Sequence, residues 1–420
     1  MVPYLIHIAL VSVLLWWFGR GLHSAKRLSF YAGAGFKIGA GWFFGWLYLH
    51  HLGGGDTFSY FHEAIPWNDL FWKNPQAFFQ GLFSDLEIIP GRYSREPRAM
   101  FMVKTVGIVS LWAGTRYWLI SLYFSLLSFV ASWYFFSQLS KYKPRYTAGF
   151  WCVLFAFPGL MFWGSGILKE TIAIAGLFVL SALYLKVLIK RRVRWAEWLA
   201  GILALFLLIK LKYYVVAVFL PICGIACYYV LIDRITLLRY RWVRYSLPLT
   251  MGLLLLFFVI NLSPNFLPAN FLNRIVTDHD RLMALTDPDF GIHYYNYEPT
   301  VFSFLINAPI AVFSGLFRPL VFEGTGLQFL AGIQNLLVFF ALLWAANRQR
   351  SHRYKLSATI WCCMIYCLIM ATFLAYATPN FGTLERYKSM YQPFLLLMLV
   401  PTFYPRDKNR LSNSVQVKKE

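Results

Sequence analysis

Residues 29–64 read SFYAGAGFKIGAGWFFGWLYLHHLGGGDTFSYFHEA. The first two thirds form an apolar run of more than 20 residues, long enough to cross a hydrocarbon core as a helix. The run then stops at three consecutive glycines, and Asp56 follows at once. Glycine frees the backbone for a tight reversal. An acidic residue just beyond such a reversal has two readings. It can cap the next helix, or it can stand free at the membrane edge with Tyr60, His62 and Glu63 nearby and serve as a general base. Within the run, Gly35/Gly39 and Gly41/Gly45 have the spacing that lets helices pack closely. Lys37 places a costly charge inside it, and snorkelling to the inner surface is its simplest accommodation.

The rest of the chain follows this pattern. Of 420 residues 59% are hydrophobic and 14% charged, against roughly 25% charged in soluble domains. The expected fold is all-α: a polytopic integral membrane protein with about 11 transmembrane helices (10–13). The spans are read at 3–19, 29–50, 117–139, 147–163, 167–189, 196–209, 213–232, 247–263, 326–345, 357–377 and 388–404. The spans 147–163 and 196–209 are short and are expected to be broken or tilted. Stretches 99–114 and 301–317 are read as helices lying at, or dipping into, the outer surface. One membrane domain covers 1–404, and 405–420 is a basic, disordered tail. No cleavable signal peptide is expected, because no Lys or Arg precedes the first apolar run. All six cysteines (Cys152, Cys223, Cys227, Cys362, Cys363, Cys367) lie in apolar segments and are read as packing residues.

Charge orients the map. With the N-terminus outside, the inner segments hold 23 Lys and Arg against four acids, and the outer segments hold 14 of each. Short basic inner loops are the positive-inside pattern. The net charge of +21 is therefore a topology signal, and no nucleic-acid partner is expected. The expected location is a bacterial inner membrane, with the C-terminus cytoplasmic.

Nearly all carboxylates then face outward in two long loops, 51–116 and 264–325, and loops of that length are usually functional. Cations gather at the same level. Lys169 opens a helix after Gly164–Gly166, where backbone N–H groups and a partial positive charge favour an anion. Pairing of Lys169 with Glu170 is the competing reading. Lys210 and Lys212 stand at an outer turn. Arg318 closes the second loop, and Arg386 and Lys388 precede the final span, with Glu323 and Glu385 as competing ion-pair partners. Arg92, Arg95 and Arg98 would align on one helical turn, suited either to a phosphate or to lipid headgroups.

Gly55-Asp56-Thr57 with Tyr60 in the first outer loop, and Glu385-Arg386-Tyr387 leading to a Pro393-containing final helix, resemble the GT-C superfamily of membrane glycosyltransferases and the related bacterial surface-polysaccharide polymerases. The resemblance implies transfer of a sugar from a polyprenyl-phosphate donor to a glycan or lipid acceptor, with Asp56 as catalytic base. Position assigns the donor phosphate to Lys169 and Arg386, with Lys388, Arg318, Lys210, Lys212, Tyr60, His62 and Glu63 as further binding candidates. No cofactor is expected, and a divalent ion on His62, Asp56 and Glu63 is the weaker reading. A repeat-unit polymerase, and a lipid-linked-oligosaccharide transporter using Lys37 and the short spans, are the alternative functions. A non-catalytic scaffold is a third.

Overall fold

The computed structural model describes residues 2–83, 89–231, 267–287, 290–350 and 357–404, together with 240, 242–243, 246–247, 250 and 252–253. The expected span 247–263, most of the inner loop before it, and the basic tail 405–420 fall largely or wholly outside the described residues. The described chain is helical, and its one β-bridge is the isolated pair Gly291–Asn380. Six of its helices are long and apolar enough to cross a membrane.

α1 (Val2–Arg20) is one of these six; α2 (Ser24–His50) covers the expected span 29–50 as a helix but is not among them. On α2 one of the two expected glycine pairs, Gly41/Gly45, packs closely and the other does not. Gly35 and Gly39 face open space. A side chain on Gly41 would collide with Ser125 and the Gly166 backbone, and one on Gly45 with Tyr117. The segment 51–116 is a helical layer as well as a connection: α3 (Gly55–Lys73), α4 (Pro75–Phe83) and α5 (Pro97–Ala113). α3 lies on α5, with Trp67 against Gly107 and Asn68 Nδ2 donating to Ser110 Oγ at 3.0 Å. Arg92 and Arg95 fall in the turns before α5 and Arg98 lies on α5, so the three do not share one helical turn.

α6 (Tyr117–Tyr142) and α9 (Lys169–Leu188) form the buried centre. Between them the expected span 147–163 is broken into α7 (Thr147–Phe155) and α8 (Pro158–Trp163). Pro158 causes the break: it lacks an N–H, and it keeps the residue before it out of helical geometry. α10 (Trp195–Leu231) is a helical run that leaves helical geometry at Lys212 (φ −145°, ψ 57°). It doubles back there. Glu197 on the first limb meets Lys186 near the end of α9 at 2.5 Å. Cys223 and Ala226 on the second limb share a cavity wall with Tyr184 and Leu185 at that same end. Lys212 is thus the apex of a hairpin, level with the start of α9.

The second half adds α11 (Pro268–Met283), α12 (Val301–Phe317), α13 (Leu327–Arg350), α14 (Ala358–Ala377), α15 (Phe381–Lys388) and α16 (Gln392–Leu399). The expected final span 388–404 is not one helix. The chain turns at Ser389–Tyr391 before α16 and ends in a 3-10 turn at Val400–Phe403. All six cysteines are unpaired thiols.

Candidate functional site

The site begins at the triple glycine. Gly53, Gly54 and Gly55 all take positive φ (63°, 82° and 54°), a conformation costly for residues with a Cβ. Tyr48 packs directly beneath Gly55, where a methyl group would fall 2.6 Å from its ring. The reversal sets Asp56 in the first turn of α3, where the helix dipole favours a negative charge. Asp56 is not the cap: Gly54 holds that position and no side chain caps the helix. The carboxylate instead receives Arg386 Nη1 at 2.9 Å and Tyr93 Oη at 3.4 Å. Arg386 lies on α15, 330 residues further along the chain.

The second wall is the start of α9. Four buried serines of α6, at 121, 125, 128 and 132, form one stripe. Ser125 Oγ accepts the Gly166 N–H at 3.0 Å, and Ser128 Oγ donates to the Gly164 carbonyl at 2.7 Å. Lys37 does not snorkel. It is wholly buried, and its ammonium reaches Gly164 O at 3.1 Å and Leu160 O at 3.5 Å. These contacts fix the turn that delivers Lys169 and Glu170.

Glu170 does not pair with Lys169. Its fully buried carboxylate bridges Arg386 Nε at 2.6 Å and Lys212 Nζ at 2.7 Å. The Lys212 ammonium also sits 3.6 Å from the centroid of the Tyr387 ring, a cation–π contact. Lys169 Nζ stands 5.4 Å from the Tyr60 ring centroid and makes no ion pair among the described residues. The cluster therefore holds three cations against two carboxylates. It runs from a half-exposed end at Asp56 (side chain 42% exposed) to a core end at Glu170 (0%). Burial raises the Asp56 carboxyl, but the charge and hydrogen bond of Arg386, with Lys169 behind them, outweigh burial and hold it below the usual aspartate value. Burial pushes the phenols of Tyr60 and Tyr93 up, so both remain neutral donors.

The structure thus joins Asp56, Arg386, Lys212, Lys169 and Tyr60. The other candidates lie elsewhere. Lys388 is fully buried and bonded to Arg318 O (2.6 Å), Asn335 Oδ1 (3.0 Å) and Glu385 Oε2 (3.1 Å). Arg318 pairs with Glu323 at 2.7 Å. Both belong to a neighbouring network completed by Gln334, which donates to Glu385 at 3.0 Å and accepts the Gly159 N–H at 2.7 Å. Lys210 is exposed, next to the hairpin apex. His62 is exposed, while Glu63 Oε1 accepts the Arg92 N–H at 2.7 Å. No group of three or more His, Cys, Asp or Glu suited to a metal ion occurs among the described residues.

Sequence reasoning missed Glu170 as the bridging anion and missed Tyr93; Tyr387 entered only within the Glu385-Arg386-Tyr387 motif, with no site role. Sequence reasoning also missed the serine stripe, although 121, 125, 128 and 132 follow helical spacing. The bridging role of Glu170 was not legible, because nothing local distinguishes it from a partner of Lys169. No family model, no curated protein and no solved structure matches the chain.

Chemically, the arrangement suits an anion with several oxygens beside a hydroxyl-bearing ligand. Lys169 and the guanidinium edge of Arg386 supply charge-assisted donors at a helix N-terminus. Asp56 supplies an ionised acceptor at the solvent-facing end.

Proposed function

We propose that the chain is a membrane glycosyltransferase that moves a sugar from a polyprenyl-phosphate donor to a glycan or lipid acceptor at the outer face of a bacterial inner membrane. One observation carries this reading: an ion chain, Asp56–Arg386–Glu170–Lys212, with Lys169 as a surplus cation beside a half-exposed carboxylate. The resemblance at Gly55-Asp56-Thr57 and the positive-inside charge pattern support the class of reaction and the side of the membrane.

In this reading the donor phosphate occupies Lys169 and shares Arg386. The acceptor hydroxyl lies against Asp56 Oδ1. The acceptor oxygen forms a bond to the anomeric carbon as the bond from that carbon to the phosphate oxygen breaks. The electron pair leaves with the phosphate, and the acceptor proton passes to Asp56. Arg386 has two tasks. It neutralises the leaving phosphate, and once the phosphate takes part of its charge, the Asp56 carboxyl rises toward its ordinary value and becomes a better base. Glu170, itself fixed by Lys212, holds the Arg386 guanidinium in place from the buried side.

The test is turnover of a labelled polyprenyl-phosphate sugar by the purified full chain in nanodiscs containing a membrane acceptor extract. The reading requires release of polyprenyl phosphate, with loss of that release in Asp56→Asn. Unchanged release in Asp56→Asn would remove the assigned base. Transbilayer movement of the labelled lipid in liposomes without glycosyl transfer would replace the enzyme reading with transport.

A further inference from the structure

A second cavity, of about 240 Å³, lies along the same helix that carries Asp56. His62, Glu63, Pro66 and Trp67 of α3 form one wall, and Ile89, Pro90 and Gly91 of the strap before α5 form the other. Glu63 is seven residues beyond Asp56. Two helical turns put it on the same face about 10 Å away, with Tyr60 between them. The strap ties the two positions together: the Arg92 N–H is held by Glu63 Oε1 at 2.7 Å, and Tyr93 Oη reaches Asp56 at 3.4 Å. Tyr93 also packs on Tyr60, with ring centroids 5.0 Å apart.

We propose that this cavity is a binding subsite for one neutral sugar ring of the acceptor, held by Glu63 two turns from the reacting hydroxyl at Asp56. The proposal rests on the glycosyltransferase reading above. The cavity lies below the roughly 300 Å³ typical of drug-sized sites, so it suits a single ring. Its lining joins a carboxylate and an imidazole to apolar surface of Pro66, Ile89, Pro90 and Met100, which matches a ring with a hydroxylated edge and a C–H face. The backbone N–H of Arg92 takes Glu63 Oε1, and a carboxylate has further lone pairs for sugar hydroxyls. Glu63 is the one carboxylate among the described lining residues, and its charge disfavours an anionic sugar, so the subsite also selects. The cavity depends on close approach of the strap: a methyl on Gly91 would fall 2.3 Å from Glu63 Oε2 and displace it.

The test uses the full chain in nanodiscs, with methyl glucoside and methyl N-acetylglucosaminide as neutral probes and methyl glucuronide as the charged comparator, read by saturation-transfer NMR. The neutral probes should bind and the glucuronide should not. Glu63→Gln keeps an acceptor for the Arg92 N–H, so the fold is retained, and it should weaken probe affinity and raise the acceptor KM about tenfold, with kcat held within about twofold. Gly91→Ala should abolish probe binding. His62→Ala, at an exposed position, should weaken it by a smaller factor. Equal affinity for all probes in wild type, Glu63→Gln and His62→Ala would overturn the subsite. Asp56→Asn separates the two proposals. Absence of transfer in the wild type defeats the enzymatic reading, and transfer that survives Asp56→Asn removes Asp56 as its base. Transfer that needs Asp56 while acceptor KM and probe binding ignore Glu63 defeats the subsite alone.

Discussion

Two polar clusters sit side by side in this protein and differ in one respect. Around Lys388 every charge has a partner: Glu385, Asn335 and the Arg318 carbonyl surround the ammonium, and Gln334 and Asn335 complete the carboxylate. Around Arg386 the cations outnumber the acids, and one end opens toward solvent. A closed network specifies how helices dock, because any other arrangement leaves a buried polar group unpaired. An open network with a surplus charge is stable as it stands and gains more when an anion arrives. Glu385, Arg386 and Lys388 share one short helix, so α15 supplies both clusters, with its faces assigned to separate tasks.

Four perturbations should separate the open cluster from the closed one. Asp56→Asn should reduce glycosyl transfer by about 10²- to 10⁴-fold, the usual contribution of a positioned base. Its melting temperature in detergent should barely change, because a half-exposed pair contributes about 1 kcal/mol or less. A large drop in melting temperature would make Asp56 a structural residue like Glu385. Glu170→Ala should cost about 3–5 kcal/mol, since it strands Arg386 and Lys212 in the core. A denaturation curve indistinguishable from wild type would show that the buried bridge is not needed.

Lys169→Met should weaken binding of the polyprenyl-phosphate donor about tenfold or more with little change in stability. Asn335→Ala in the closed network should do the reverse, lowering stability by about 1–3 kcal/mol and leaving donor affinity alone. Equal effects on both quantities in both variants would erase the distinction between the clusters. The smallest effect is in pH. The folded Asp56 carboxyl lies below its ordinary value, so the stability from its pair with Arg386 is fully present above about pH 4. It fades as the pH falls through the lowered folded-state value. The gap in melting temperature between wild type and Asp56→Asn should therefore close on acidification and stay constant through neutrality. A gap that opens toward acid would reverse the sign of the interaction.

Much of the fold was legible because its cause is local. Apolar runs of spanning length, Pro158 at a break and Gly53–Gly55 at a reversal act through the backbone and the solvent around them. The hairpin apex at Lys210–Tyr214 was legible for the same reason, as two lysines interrupting an apolar run. The sequence alone points to a loop over most of the layer α3–α5, because its helices mix apolar and polar residues without a continuous spanning run. The C-terminal segment looks like one span in sequence, because its apolar composition hides the turn at Ser389–Tyr391.

Within the candidate site, residue types were easier to read than pairings. Asp56, Lys169, Lys212 and Arg386 are conspicuous as charges at the ends of apolar helices, and that is a property of the sequence. Glu170 choosing Arg386 and Lys212 over its neighbour Lys169 is a property of the packed structure. So is the division of α15 between a closed and an open cluster. Water can solvate any of these charges in an unfolded chain, so composition and spacing do not discriminate among partners. Once the helices pack, a buried charged group must find an opposite charge, or carbonyls as Lys37 does, within a few ångströms. Only the positions of all the helices together decide which one is in reach.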